Sequence, residues 1–107
     1  MKFIALLPAA AGVAPANFAP YAEAESRRVW ELYSEGKLQE IYLRTDRIGA
    51  VITLHCDTHQ EALEAMESLP LVQAGLLQVE LIALVAWPEM TRMVQEQHLE
   101  QPAWWPT

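Results

Sequence analysis

Seven polar side chains share one side of three predicted β-strands, and their types could support acid–base chemistry. A histidine has a pKa near neutral pH, so it can both accept and donate a proton. An arginine can hold a carboxylate through two parallel hydrogen bonds. Because buried polar groups need hydrogen-bond partners, so many on one side favour a polar pocket or a polar dimer interface over a dry contact. These residues are Glu40, Tyr42, Arg44, Thr53, His55, Gln78 and Glu80.

Each of these candidates also has a structural explanation. His55 could be a strand-end histidine that is hydrogen-bonded to a loop. Arg44 could pair with Glu80 or Glu40 across an interface instead of binding a substrate carboxylate. Glu80 lies in an apolar strand, where loss of water would raise the pKa of its carboxyl group or favour an ion pair. We treat His55, Tyr42 and Glu80 as candidate catalytic residues and Arg44 as a candidate substrate-binding residue.

Two aromatic residues, Trp30 and Tyr33, lie on the face of the first predicted helix that we expect to contact the sheet. Core packing is the ordinary role of such residues, and a substrate-binding wall for a flat ring is the alternative. The segment from His55 to His59 contains two histidines and a cysteine. It crosses from a strand end to a helix start, so these side chains do not stack as metal ligands do on a helix. We therefore predict no metal site.

The periodicity of apolar residues predicts four strands and two main helices. Gly36 lies where a helix C-cap glycine is expected. Thr58 and Glu61 predict a capping box, in which Glu61 returns to the Thr58 amide. The predicted elements are strand 2–7, helix 21–35, strands 38–45 and 48–56, helix 58–69 ended by Pro70, strand 76–85 and a short helix 88–97. A two-residue turn at Asp46-Arg47 would set Glu40 opposite Thr53, Ile41 opposite Ile52, Leu43 opposite Ala50 and Leu38 opposite His55.

The order β-α-β-β-α-β predicts an α+β, ferredoxin-like domain, in which a four-stranded antiparallel sheet carries two helices on one face. Two helices cannot cover both faces of a sheet. We therefore expect the second face to pack against another copy, giving a homodimer or a larger homo-oligomer. The domain is expected to span residues 1–97, followed by a tail at 98–107 in which Trp104 and Trp105 dock on a neighbouring subunit or cover a pocket.

Composition narrows the classes of function. The 107 residues are 52% hydrophobic and 20% charged, which is typical of a globular domain. The net charge of -7 makes nucleic acid an unexpected partner. The chain has no run of about 20 apolar residues, so we expect no membrane partner. The single cysteine, Cys56, fits a reducing cytoplasm, where we expect the protein to act.

The N-terminus allows two interpretations. Lys2, the apolar residues 3–7 and the small residues after Pro8 are typical of a secretory signal peptide. The alternative is a buried first strand followed by a loop rich in alanine and proline. We favour the strand, because the other strands need a partner in the sheet.

Several segments resemble the muconolactone Δ-isomerase family. They are Ser34-Glu35-Gly36, the strand pair beyond it, Glu61-Ala62-Leu63, and Leu69-Pro70-Leu71 leading into Val79-Glu80-Leu81. The resemblance runs from the first strand to about Trp87. It implies a dimeric α+β barrel, in which two sheets pack face to face. It also implies an isomerase that moves a carbon–carbon double bond in an unsaturated lactone acid during the breakdown of aromatic compounds, without metal or organic cofactor.

Such a reaction requires a base that removes a proton and an acid that returns it one carbon away. His55 would transfer the proton, Tyr42 would stabilise the enolate, and Arg44 would bind the substrate carboxylate. Two alternatives remain open. One is a cofactor-free monooxygenase of aromatic polycycles, with Trp30, Tyr33 and Tyr42 forming its pocket. The other is a non-catalytic module that binds a ligand or supports assembly.

Overall fold

The computed structural model describes residues 1–90 and 92–93. Its elements follow the predicted order, with two further short helices. They are β1 (Lys2–Pro8), a 3₁₀ helix (Pro15–Tyr21), α1 (Ala22–Ser34), β2 (Leu38–Leu43), β3 (Gly49–His55), α2 (His59–Glu67), α3 (Pro70–Gln73) and β4 (Glu80–Leu84). Residues 88–90 and 92–93 are helical. The rest of the predicted helix 88–97, and the tail with Trp104 and Trp105, lie outside the described residues.

The four strands form one antiparallel sheet in the order β2-β3-β1-β4. Alternate side chains of β1 and β3 are fully buried, as expected for strands with one face under helices. The core lies on that side. It contains Phe3, Ala5, Leu7, Ile52 and Leu54 from the sheet, and Leu32, Ala62, Ala65 and Met66 from α1 and α2. The predicted α+β, ferredoxin-like fold is confirmed.

The rotation of α1 about its axis differs from the prediction. Leu32 is fully buried, whereas the side chains of Trp30 and Tyr33 are 65% and 52% exposed. Successive helical residues are about 100° apart, so a helix that points Leu32 at the sheet turns Trp30 well away from it. The prediction that Trp30 and Tyr33 face the sheet is therefore wrong. Val29 packs beside Leu32 at the edge of the core.

Gly36 ends α1 as predicted. Its φ of 79° is left-handed, and its amide donates to the Tyr33 carbonyl at 3.0 Å. The Lys37 amide donates to the Leu32 carbonyl, also at 3.0 Å. These two bonds form a Schellman motif, which favours glycine at this position. The motif reverses the chain, so that β2 runs back beside α1.

The β2–β3 register agrees with the prediction over most of its length. Glu40 lies opposite Thr53, and Ile41 lies opposite Ile52. A bulge between Leu38 and Glu40 places Leu38 opposite Leu54 instead of His55, because the extra residue shifts the pairing. The predicted two-residue turn is wrong as well. Strand β2 ends at Leu43 and strand β3 begins at Gly49, so the connection between them covers residues 44–48.

Two elements in the second half of the chain are shorter than predicted. Helix α2 ends at Glu67, and Pro70 begins α3 instead of ending α2, since proline is well suited to the first turn of a helix. Strand β4 begins at Glu80 rather than at 76. Before it, Leu77 makes only an isolated bridge with Ala9.

The other face of the sheet carries no helix among residues 1–90 and 92–93. We call it the open face. It presents the apolar side chains Ile4, Leu6, Val51, Ile82 and Leu84, together with Lys2, Glu40, Tyr42, Thr53, His55 and Glu80. Within the described part of the chain, no helix has the length and apolar character needed to cross a membrane.

Candidate functional site

The structure divides the sequence-predicted site residues between the two faces of the sheet. His55, Tyr42 and Glu80 lie on the open face, and all three are exposed. Trp30 and Tyr33 project from α1 on the opposite side, where they line a cleft between α1 and β2. The predicted residues therefore do not form one site within a single chain.

On the open face, Glu40 joins two neighbouring hydroxyl groups. The Tyr42 hydroxyl donates to Oε2 of Glu40, and the Thr53 hydroxyl donates to Oε1 at 3.3 Å. The bond from Tyr42 is the main cause that lowers the pKa of Glu40, and the same bond raises the pKa of Tyr42. A carboxylate stabilised in this way is a weak base, and a phenol held in this way resists ionisation.

His55 and Arg44 lie at opposite ends of β3. The His55 amide donates to the Lys37 carbonyl, while the Arg44 amide donates to the Gly49 carbonyl at the other end of the strand. The seven residues of β3 therefore place the His55 and Arg44 backbones about 20 Å apart. The Arg44 guanidinium is bonded to Asp46 at 2.9 and 2.6 Å, not to Glu80 or Glu40. Its charge is thus already compensated by a neighbour in the same loop.

Glu80 lies far from the Glu40 cluster. It is paired with Leu6 on β1, whereas Tyr42 is paired with Val51 on β3. Three strand spacings of about 4.8 Å separate the β2 and β4 edges, which places Glu80 about 14 Å from Tyr42. Direct cooperation between these two side chains within one chain is excluded by that distance.

The cleft between α1 and β2 has a volume of about 530 Å³. The Trp30 and Tyr33 rings stack along one wall, with centroids 5.6 Å apart and planes at 28°. This volume falls within the range of small-molecule sites, which are usually apolar with a few polar groups. The lining residues are Glu25, Ser26, Val29, Trp30, Tyr33, Leu38, Gln39, Glu40 and Ile41.

A second cavity, of about 350 Å³, adjoins the cleft. The two share Glu25 and Ile41 in their linings, so they lie next to each other near the first turn of α1. Most of the second cavity is apolar. Its lining residues are Pro15, Phe18, Glu25, Ile41, Leu43, Arg44, Ile48, Gly49, Ala50, Leu71 and Leu77.

Glu25 lies where the cleft and the second cavity meet. Its Oε1 accepts a hydrogen bond of 3.0 Å from the Leu71 amide, which ties α1 to α3. Partial burial raises the pKa of this carboxyl group, and the bond from Leu71 opposes the shift only in part. A carboxyl group whose pKa is raised in a ring-sized cleft is a candidate for general acid–base catalysis.

Sequence reasoning missed Glu25, although a signal for it exists. Glu25, Val29 and Leu32 are spaced i, i+4 and i+7, so the carboxyl group shares the helix face that carries the buried leucine. A charged residue on an apolar stripe is unusual and can mark a functional position. The prediction had placed that stripe through Trp30 and Tyr33 instead.

We found no cluster of three or more potential metal ligands within residues 1–90 and 92–93. His55 ends β3 and His59 begins α2, so this segment crosses from a strand to a helix as predicted. Cys56 is buried between them, and burial raises the pKa of its thiol. A thiol in this state is a poor nucleophile.

No protein-family model matches the chain, and no curated protein matches it in sequence. Among solved structures, the chain is similar to 5-chloro-2-hydroxyhydroquinone dehydrochlorinase (TftG) of Burkholderia phenoliruptrix AC1100, in complex with 2,5-dihydroxybenzoquinone. The TM-score is 0.68 at 15% sequence identity, and the match covers 83% of this chain and 98% of that one. At this identity the likeness shows the fold, and the fold is that of an α+β protein with a four-stranded antiparallel sheet.

Proposed function

We propose that the chain is an enzyme that transfers protons on a small oxygenated ring compound, without an organic cofactor, in the cleft between α1 and β2. The observation that carries this proposal is Glu25. Its carboxyl group is partly buried, has a raised pKa, and lies beside a stacked aromatic wall in a ring-sized cleft. Pockets that combine such features are the usual places for acid–base catalysis.

The proposed step is a double-bond shift in an unsaturated cyclic ketone or lactone. The Glu25 carboxylate removes a proton from the carbon next to the carbonyl group, which leaves an enolate. The resulting carboxylic acid returns the proton two bonds further along, so Glu25 ends the cycle as it began. The neutral side chains of Ser26 and Gln39 line the cleft and can donate hydrogen bonds to the enolate oxygen.

Two likenesses support proton transfer as the type of reaction. Residues such as Leu69-Pro70-Leu71 resemble the muconolactone Δ-isomerases, whose reaction is a double-bond shift. TftG shares the fold, and its name describes a dehydrochlorinase of an oxygenated ring. Both reactions can begin with a base removing a proton from a small ring. We favour isomerisation for this chain.

The charges around the cleft favour an uncharged substrate over a lactone acid. Its described lining residues include Glu25 and Glu40, but no lysine, arginine or histidine. Arg44 borders only the second cavity and is bonded to Asp46. A substrate carboxylate in the cleft would therefore meet the Glu25 carboxyl group and no cationic side chain among the described lining residues, which is unfavourable.

The conversion of 5-methyl-3H-furan-2-one into its conjugated 5H isomer tests the proposal. The reaction can be followed by ultraviolet absorbance, and in D₂O by deuterium incorporation. We expect Glu25→Gln to lower kcat/KM by about 10²-fold or more, because an amide cannot carry the proton. Glu23→Gln is the matched control, since Glu23 lies on the same helix and its side chain is 88% exposed. It should leave the rate unchanged.

A wild-type protein that does not accelerate this isomerisation, or a Glu25→Gln variant as active as Glu23→Gln, would contradict the proposal. Loss of activity in His55→Ala with Glu25→Gln unaffected would move the reaction to the open face. There, His55, Tyr42 and Glu80 would need a second copy of the chain to approach one another and Arg44, which borders the second cavity. That arrangement remains a proposal for those four residues.

The stacked Trp30 and Tyr33 rings also favour a second candidate, a cofactor-free monooxygenase of aromatic rings. Such an enzyme would consume oxygen with a hydroquinone as substrate, whereas an isomerase would not. A non-catalytic binding module would bind the lactone or the quinol without converting either. The oxygen electrode and the absorbance assay thus separate the three functions.

A further inference from the structure

The second cavity lies beside the proposed active-site cleft. Glu25 and Ile41 line both volumes, so a ring held against Trp30 and Tyr33 would have the second cavity as its neighbour on the side of Glu25. A substituent on that side of the ring would pass the Glu25 carboxyl group before it entered the second cavity.

The lining of the second cavity is suited to hydrocarbon. Phe18, Leu43, Ile48, Leu71 and Leu77 form its walls. Its two charged side chains are both engaged. The guanidinium of Arg44 is bonded to Asp46 at 2.9 and 2.6 Å, and Glu25 accepts the bond from the Leu71 amide. An anionic or strongly polar group placed there would lose water without gaining a free partner.

Small residues on β3 keep the second cavity open. Gly49, at the start of β3, is a lining residue that has no side chain. Next to it, Ala50 is 8% exposed and contributes only a methyl group to the lining. A larger side chain at Ala50 would occupy space that the cavity now provides.

We propose that the second cavity is a binding subsite for an apolar substituent, so that the substrate is an uncharged oxygenated ring that carries an alkyl or aryl group. This inference rests on the proposed function, because it takes Glu25 as the point at which ring and substituent meet. It narrows the substrate class from small ring compounds in general to those with a hydrocarbon side group.

A series of 5-alkyl-3H-furan-2-ones, from methyl to hexyl, tests the subsite by isothermal titration calorimetry. Each buried methylene should tighten binding roughly fourfold until the cavity is filled, after which the affinity should level off. The same series measured by kcat/KM should show the same trend. Binding is measured independently of turnover, so this test stays informative even if the lactones are not converted.

Two variants locate the effect. Ala50→Leu fills part of the second cavity. Ile48→Phe narrows it at a residue that is 37% exposed and lies outside the core. We expect either variant to reduce the gain per methylene to less than twofold. Ala24→Leu, the same change at an exposed position of α1, should keep the full gain.

A wild-type affinity that is independent of chain length, or a gain that both cavity variants retain, would overturn the subsite. Failure to bind any member of the series would overturn it too. The proposed function fails by a different result, namely normal turnover in Glu25→Gln. The two failures can therefore be told apart.

Discussion

Two glutamates that both line the cleft have pKa values shifted in opposite directions. Burial raises the pKa of Glu25, whereas the hydrogen bond from Tyr42 lowers the pKa of the exposed Glu40. A carboxylate with a raised pKa is a stronger base than usual, and one with a lowered pKa is a weaker base. Glu25 is therefore suited to proton transfer, and Glu40 is not. This difference depends on what each side chain contacts, not on residue type.

The raised pKa of Glu25 predicts a pH-dependent stability. The folded chain keeps the Glu25 proton above the ordinary pKa of 4.5, where the unfolded chain loses it. The contribution of Glu25 to the free energy of unfolding should therefore fall as the pH rises from about 4.5 through the folded pKa. Glu25→Gln cannot ionise, and its amide oxygen can still accept the bond from Leu71. Its stability relative to the wild type should increase over that interval and then stay constant.

Urea unfolding between pH 4 and 8 measures this difference. Glu23→Gln removes an exposed carboxyl group from the same helix, so its stability difference from the wild type should not show the rise. A Glu25→Gln variant whose relative stability falls with pH, or does not change, would show that burial does not destabilise the ionised form. Greater stability together with lower activity is common at catalytic positions.

At the scale of elements, an N-terminal cap on α2 holds the segment that connects β3 to this helix. The Thr58 hydroxyl accepts from the Glu61 amide at 3.1 Å, as predicted. The return bond differs, because the Glu61 carboxylate accepts from the Asp57 amide at 3.2 Å and not from Thr58. The cap therefore covers one residue more than a simple capping box, and it fixes the segment between His55 and His59.

Removing this cap should weaken the whole domain. We expect Thr58→Ala to lower the free energy of unfolding by about 1 kcal/mol, because an amide in the first turn of α2 loses its acceptor. Thr58→Ser retains the hydroxyl group and should stay close to the wild type. Equal urea midpoints for the alanine and serine variants would mean that water replaces the lost bond.

At the scale of the molecule, the open face is a sheet surface that carries no helix among residues 1–90 and 92–93. Apolar Ile4 and Leu6 lie on the inner strand β1, next to Ile82 on the edge strand β4, and the polar side chains of Glu40 and Tyr42 lie on the other edge strand, β2. Large apolar surfaces with a polar rim are typical of protein interfaces. A homodimer formed through this face remains our prediction.

We expect light scattering to give a mass of at least twice 12.1 kDa at micromolar concentration. Ile82→Glu places a charge on the open face, beside Ile4, and should yield a monomer, because the carboxylate would be buried without a partner in the dimer. Leu43→Lys introduces a charge on the other side of the sheet, at a side chain that is 82% exposed, and should leave the mass unchanged. A wild-type mass of 12.1 kDa would contradict the dimer.

The sequence by itself determined the order of the elements, the antiparallel sheet and most of the β2–β3 register. Those features depend on local spacing. Alternation placed Glu40 opposite Thr53, and Gly36 and Thr58 marked helix ends through bonds within a few residues. Such patterns are complete within one element or one hairpin, so they can be predicted without the rest of the molecule.

Only the tertiary structure decided the rotation of α1 and, with it, the site. Leu32 is buried against the sheet, so Trp30 and Tyr33 line a cleft instead of the core. Glu25 reaches its partner, the Leu71 amide, across 46 residues of sequence. The pKa of a carboxyl group depends on which distant groups remove its water and which amide it meets. Those neighbours exist only once the helices have packed, which is why Glu25 was missed.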